Sequence, residues 1–138
     1  MAIEGVKIKD LILHHDDRGF FSEILRLSED VGLTKFSQWS FSKAHEGVIK
    51  SGHLHKKQTD WMCVIDGDIE LTLNDLREPS KTYKTEIKIG MGSRLGYKVV
   101  KIPPGVAHGY RVLSPSMLIV YLTDQEYDPK DEFRIGRV

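Results

Sequence analysis

Turn-forming residues punctuate this chain at short intervals, and the stretches between them alternate apolar and polar side chains. Ile69, Leu71 and Leu73 fall on one side of such a stretch and Glu70, Thr72 and Asn74 on the other, the period-two pattern of a half-buried strand. Phe36, Gln38, Ser40 and Ser42 alternate in the same way with Ser37, Trp39 and Phe41. Further strands are predicted near Val6–Leu13, Phe20–Leu27, Trp61–Ile65, Tyr83–Ile89, Val99–Ile102, Tyr110–Leu113 and Met117–Leu122. Between them stand Asp17-Arg18-Gly19, Asp66-Gly67-Asp68, Glu78-Pro79-Ser80, Met91-Gly92-Ser93, Pro103-Pro104-Gly105 and Ser114-Pro115-Ser116, all turn signals. Only Ser28–Leu33 has a helical pattern, with Ser28 as cap and Gly32 as stop. About ten short strands with so little helix close as a sandwich, a barrel or a double-sheet jelly roll. With no linker, repeat or low-complexity tract, residues 1–138 are expected to form a single all-β domain.

Charge and cysteine content narrow the functions open to such a domain. Lys plus Arg equals Asp plus Glu at 20 each, which excludes a broad polyanion-binding surface and with it nucleic acid as partner. Cys63 is the single cysteine, so no intrachain disulfide exists and a reducing compartment is expected. The longest uncharged apolar stretch, Val112–Thr123, is too short to span a bilayer. The start MAIEGVKIKD has no apolar signal region. A cytoplasmic protein with no membrane partner is the expectation.

The chemistry concentrates in Gly52-His53-Leu54-His55-Lys56-Lys57-Gln58-Thr59-Asp60. On a strand His53 and His55 project together, and His108, after the Pro103-Pro104-Gly105 turn, is placed to meet them inside a barrel. His14, His15 and His45 have the setting of surface or turn histidines. From Gly47 to Gly67 the spacing is G-x5-H-x-H-x4-D-x6-G, and Pro103 to His108 follows as P-x-G-x-x-H. This pair of motifs resembles the two-part cupin signature, with Asp60 where that pattern has glutamate. The resemblance implies a cupin double-stranded β-helix. His53, His55, Asp60 and His108 then form one alternative, a mononuclear metal site, although metal-free cupins share the spacing.

A longer succession of motifs covers roughly Leu13 to Pro129. Asp17-Arg18-Gly19-Phe20-Phe21-Ser22-Glu23, Phe36-Ser37-Gln38-Trp39-Ser40-Phe41-Ser42, Gly47-Val48-Ile49-Lys50, Asp75-Leu76-Arg77-Glu78-Pro79-Ser80-Lys81-Thr82-Tyr83, Ile102 to Tyr110 and Thr123-Asp124-Gln125-Glu126-Tyr127-Asp128-Pro129 occur in that order. The succession resembles the dTDP-4-dehydrorhamnose 3,5-epimerase family, cupins acting on nucleotide-linked 4-keto-6-deoxy sugars without a cofactor. The resemblance implies that Arg18 holds a diphosphate oxygen with Glu23 as its partner acid, and that Gln38 touches substrate. Lys50 stands where the family has a phosphate-binding arginine, keeping the charge but losing the fork. His53 falls on the proton-abstracting histidine, His108 on a substrate-contacting histidine and Tyr127 on the proton-returning tyrosine. The resemblance also implies a homodimer in which the Arg18 turn completes the neighbour's site.

Two departures accompany it. Asp60 occupies the position of the lysine that steadies the enolate, and the aspartate that orients the base, supplied by a C-terminal extension in the family, has no counterpart before Val138. The stretch Gly52-His53-Leu54-His55-Lys56 also resembles the sugar 3,4-ketoisomerases, which use a histidine pair, so His55 joins His53 and Tyr127 as a catalytic candidate. Three readings follow: a nucleotide-sugar epimerase or ketoisomerase, a mononuclear metal cupin, and a catalytically silent sugar-nucleotide binder. Cys63 is expected in the core beside Trp61 and Ile65, and Asp75 with Arg77 as a structural pair.

Overall fold

The computed structural model describes residues 2–28, 33 and 35–136. Strands β1 (Lys7–Asp10), β9 (Lys98–Ile102), β6 (Asp60–Asp66), β11 (Ser116–Thr123) and β4 (Gln38–His45) form one antiparallel sheet in that spatial order. The second runs β12 (Phe133–Gly136), β5 (Ile49–Leu54), β10 (Val106–Val112), β7 (Asp68–Asp75) and β8 (Glu86–Gly92). A hairpin of β2 (His14–Asp16) and β3 (Gly19–Phe21) stands apart. Chain neighbours β6 and β7 lie in different sheets, which gives the jelly-roll layering expected of a cupin. Gly67 makes that crossing with φ of +79°, and a Cβ there would run into the Ser116 carbonyl oxygen, so the turn demands glycine.

The core lies between the sheets. Ile69, Leu71 and Leu73 on β7 meet Met62 and Val64 on β6, Met117 and Ile119 on β11, and Val100 on β9. Alternation therefore works as expected on β7, where Glu70, Thr72 and Asn74 are only half-buried. On β6 it does not. Trp61 and Cys63 are buried, but away from the barrel interior, in a second cluster with Val99 and Leu33 that Leu11, Ile24 and Leu25 cover. Both faces of β6 are thus apolar, and Ile65, expected beside Cys63, is exposed.

Other boundaries shift for local reasons. The strand expected over Phe20–Leu27 ends at Phe21, because residues 22–26 cross the outer face of the first sheet and contribute Ile24 and Leu25 to that second cluster. The Tyr83–Ile89 strand starts at Glu86, after a run of turn residues with Lys84 at a φ of +68°. The helix expected over Ser28–Leu33 falls on residues 29–32, outside the described residues. Asp75 is fully buried and pairs with Arg77 at 2.8 Å, as a structural pair should. Among the described residues no helix is long and apolar enough to cross a membrane.

Candidate active site

β5 and β10 lie side by side with His53 and His108 as direct partners across the ladder. His55 sits one residue beyond the end of β5, where the Gly105 N–H donates to its carbonyl oxygen at 2.7 Å. The Pro-Gly turn thereby ties the two histidine motifs together. Ring centroids of His53 and His55 lie 6.5 and 5.9 Å from that of His108. All three line one cavity of about 270 Å³, together with Gln38, Lys50, Asp60 and Tyr127.

Asp60, the first residue of β6, is the cavity's buried carboxylate. Gln58 Nε2 donates to its Oδ1 at 2.7 Å, while Oδ2 faces His108 Nε2 at 3.4 Å and His55 Nε2 at 3.9 Å. Burial pushes the His108 imidazole down from its ordinary value, and the Asp60 charge only partly offsets this. His55, Asp60 and His108 each offer one ligand atom within 4.8 Å of the others. His53, expected in the same ligand set, is not in that group.

The C-terminal segment supplies what the sequence analysis missed. Asp128 and Pro129 open a single 3-10 turn, Pro129–Asp131, whose cap is the Asp128 side chain accepting from Lys130 N–H. That turn sends β12 back along β5, with Phe133 opposite Leu54 and Arg134 opposite His53. Glu132 Oε1 then lies 3.1 Å from His53 Nδ1, within ion-pair distance of the imidazolium form though not hydrogen-bonded to it. Its Oε2 accepts from the Tyr127 hydroxyl at 2.9 Å. That donated bond, aided by the nearby histidine and opposed by burial, holds the Glu132 carboxyl below its ordinary value, and it raises Tyr127 in turn. A glutamate five residues after Tyr127, behind an Asp-Pro turn, was the available signal.

Asp131 is a second unforeseen residue. Its buried carboxylate accepts the backbone N–H groups of Lys56 at 2.9 Å, Lys57 at 3.2 Å and Gln58 at 3.1 Å. Its carbonyl oxygen lies 2.8 Å from His55 Nδ1. Burial opposes the Asp131 charge, yet the three amides hold the carboxyl below the usual range.

The remaining candidates divide. Gln38 lines the cavity, its Oε1 accepting from the Tyr127 N–H at 2.8 Å, and Lys50 stands exposed among the lining residues. Arg18 is on the tip of the β2–β3 hairpin, its side chain 85% exposed and paired with Asp16. Glu23 pairs with Arg26 at 2.6 Å, and neither Arg18 nor Glu23 lines the cavity of its own chain. A histidine facing a carboxylate, a protonated tyrosine on the same carboxylate, and a second pair of histidines of which His108 is buried suit proton transfer at carbon.

The chain is similar to known proteins over most of its length. The family model for dTDP-4-dehydrorhamnose 3,5-epimerase matches residues 1–137. The chain is 46% identical over 136 residues to the spore coat polysaccharide biosynthesis protein SpsL of Bacillus subtilis (strain 168), covering 96% of this chain and 89% of that protein. It superposes on dTDP-6-deoxy-D-glucose-3,5-epimerase from Legionella pneumophila Philadelphia 1, solved in complex with dTDP-4-keto-L-rhamnose, with a TM-score of 0.88 at 29% identity. That match covers 98% of this chain and 74% of the other. A dTDP-4-dehydrorhamnose 3,5-epimerase from Bacillus anthracis str. Ames, with TDP and PPi bound, matches with a TM-score of 0.85 at 30% identity, covering 94% and 78%.

Proposed function

The chain belongs to the dTDP-4-dehydrorhamnose 3,5-epimerase family and is an isomerase of nucleotide-linked keto sugars, and we propose that it acts next to the keto group of a dTDP-4-keto-6-deoxyhexose with His53 as general base. One observation carries the assignment: Glu132 sets one oxygen 3.1 Å from His53 Nδ1 and accepts the Tyr127 hydroxyl with the other. In this reading His53 Nε2 takes the proton from the carbon beside the ketone, and the C–H electron pair moves to the carbonyl oxygen as an enolate. Glu132 offsets the imidazolium charge so formed. It also keeps Tyr127 protonated, so that the phenol can hand its proton to the enolate carbon. His53 then loses its proton to solvent and Tyr127 regains one. Lys50 and Gln38 hold the diphosphate and sugar, Lys50 by charge and Gln38 through the amide that Tyr127 orients. The neighbouring His55 favours a second outcome, proton return on the same face, as a 3,4-ketoisomerisation requires.

Arg18 and Glu23 reach a site only in a homodimer. The surface that supports one is apolar: Trp39 and Phe41 project outward from β4, an edge strand, at 67% and 71% exposure, and Phe36 continues the patch. A second copy covering it would bury what a monomer leaves in water. A single buried thiol and a nucleotide-sugar substrate fit a cytoplasmic location.

Deuterium wash-in at C3 and C5 of dTDP-4-keto-6-deoxyglucose, read by NMR, tests the reaction. Exchange at both carbons identifies an epimerase, and exchange at C3 with a 3-keto product identifies a ketoisomerase. His53→Asn is expected to abolish either. Wild-type protein that binds dTDP yet exchanges no deuterium would sink the catalytic reading in favour of a silent binder.

A further inference from the structure

We propose that Asp60, flanked by ring nitrogens of His55 and His108, selects the sugar by taking a hydrogen bond from a donor substituent of the ring, a hydroxyl or a primary ammonium. The inference rests on the nucleotide-sugar reading for the ligand that enters, and it concerns a part of the cavity apart from the His53–Glu132–Tyr127 array. Geometry places the protons around Asp60. His55 Nδ1 lies 2.8 Å from the Asp131 carbonyl oxygen and His108 Nδ1 lies 3.3 Å from that of Val106. A carbonyl only accepts, so in the neutral imidazoles both Nδ1 atoms carry the proton and both Nε2 atoms present lone pairs. Those lone pairs stand 3.9 and 3.4 Å from Asp60 Oδ2.

No donor of the chain fills the space between them. The Gln58 amide is occupied by Asp60 Oδ1 at 2.7 Å and by a long 3.5 Å contact to His55 Nε2. Among the described residues no lysine or arginine nitrogen comes within 4.0 Å of Asp60, which meets only the two imidazoles. Three acceptor atoms therefore converge without a proton between them, around a carboxylate on a residue only 4% exposed that lines the cavity. Such a set is costly while unpaired and favourable once a donor enters.

The dimensions suit a ring substituent. A group donating bonds of about 2.8 Å in tetrahedral directions meets acceptors about 4.6 Å apart, and the three atoms here lie within 4.8 Å of one another. An ammonium reaches all three, and a hydroxyl reaches the charged Oδ2. A keto or enolate oxygen only accepts, so Asp60 repels it and the ring must enter with another carbon turned this way. In a 4-keto-6-deoxyhexose that carbon is C2 or C3, the two ring positions that carry free hydroxyls. The polarity is the reverse of the lysine that the sequence resemblance places at this position. Buried polar groups of this kind reject an analogue that lacks the donor, because they are then left unpaired.

The test measures Kd by calorimetry for dTDP-6-deoxyglucose, which has no ketone and is not turned over, and for its 2-deoxy and 3-deoxy analogues. One analogue should bind wild type about 10- to 100-fold more weakly than the parent. In Asp60→Ala that difference should shrink to about threefold or less, and Asp60→Asn, which keeps the shape, should reduce it as well; circular dichroism checks folding. An amine in place of the hydroxyl so identified separates the two sources. Tighter binding than the hydroxyl in wild type, lost in Asp60→Asn, assigns an ammonium, and equal or weaker binding assigns the hydroxyl. Two deoxy analogues that match the parent in wild type, or discrimination unchanged in a folded Asp60 variant, overturns the selection and leaves the isomerase standing. A parent that does not bind at all removes the nucleotide-sugar reading and the selection with it. Discrimination that follows the expected pattern upholds the selection even if no 4-keto sugar exchanges deuterium, a result that removes only the catalytic step.

Discussion

Replacing Asp131 by Asn keeps the side chain's shape and removes one acceptor edge and the charge. In the native protein one carboxylate oxygen serves Lys56 and Lys57 N–H and the other serves Lys57 and Gln58 N–H. An amide keeps one oxygen, and its NH2 group then points at a backbone donor. Either the Lys56 or the Gln58 N–H is orphaned, and the surviving bonds lose their charge assistance, for a total of about 2–4 kcal/mol. Unfolding entropy for 138 residues is about 0.3 kcal/mol per kelvin, so a loss of about 3 kcal/mol lowers Tm by about 10 °C. The difference should also depend on pH. The folded Asp131 carboxyl lies below its ordinary value, so its stabilisation is complete above the unfolded pKa of about 3.9. It disappears as pH falls through the lower folded value. Thermal unfolding of wild type and Asp131→Asn by circular dichroism, at pH 7 and at steps down to pH 2, measures both effects. A Tm difference under about 3 °C at pH 7, or one that stays constant into acid, would refute the clamp.

Glu132→Gln should lower kcat about 100-fold with KM nearly unchanged, because it removes charge that is needed when His53 becomes an imidazolium. It should also move the alkaline limb of the kcat profile to lower pH, since Glu132 is what raises Tyr127; steady-state kinetics across pH checks both. Trp39→Asp should convert a particle of about twice 15.8 kDa into one of 15.8 kDa in light scattering after gel filtration, and should raise the KM for the nucleotide sugar by detaching the partner's hairpin. Leu71→Ala, at a position with no solvent exposure, should cost about 2–5 kcal/mol in urea unfolding with unchanged m-value.

Much of this protein was legible residue by residue. Side-chain alternation is a property of i and i+2, so β7 and its buried Ile69, Leu71 and Leu73 follow from the pattern without knowledge of the partner sheet. The turn at Gly67 was legible for the same reason, since its signal is carried by three adjacent residues. The histidine motifs marked the cavity because each is a short local spacing. What lay beyond reach depended on which distant segments pair. Trp61 and Cys63 differ from Met62 and Val64 because Leu11, Ile24, Leu25 and Leu33 cover the outer face of β6, and the apolar run Trp61–Ile65 does not say which segments supply that cover. Glu132 and Asp131 reach the histidines through β12 pairing with β5, about 80 residues away along the chain. Asp60 was marked in the sequence by the spacing that groups it with the histidines, but its burial was not. The sheet order made it a buried carboxylate between two imidazoles, because β5, β6 and β10 contribute to a single cavity only after the two sheets have closed on each other.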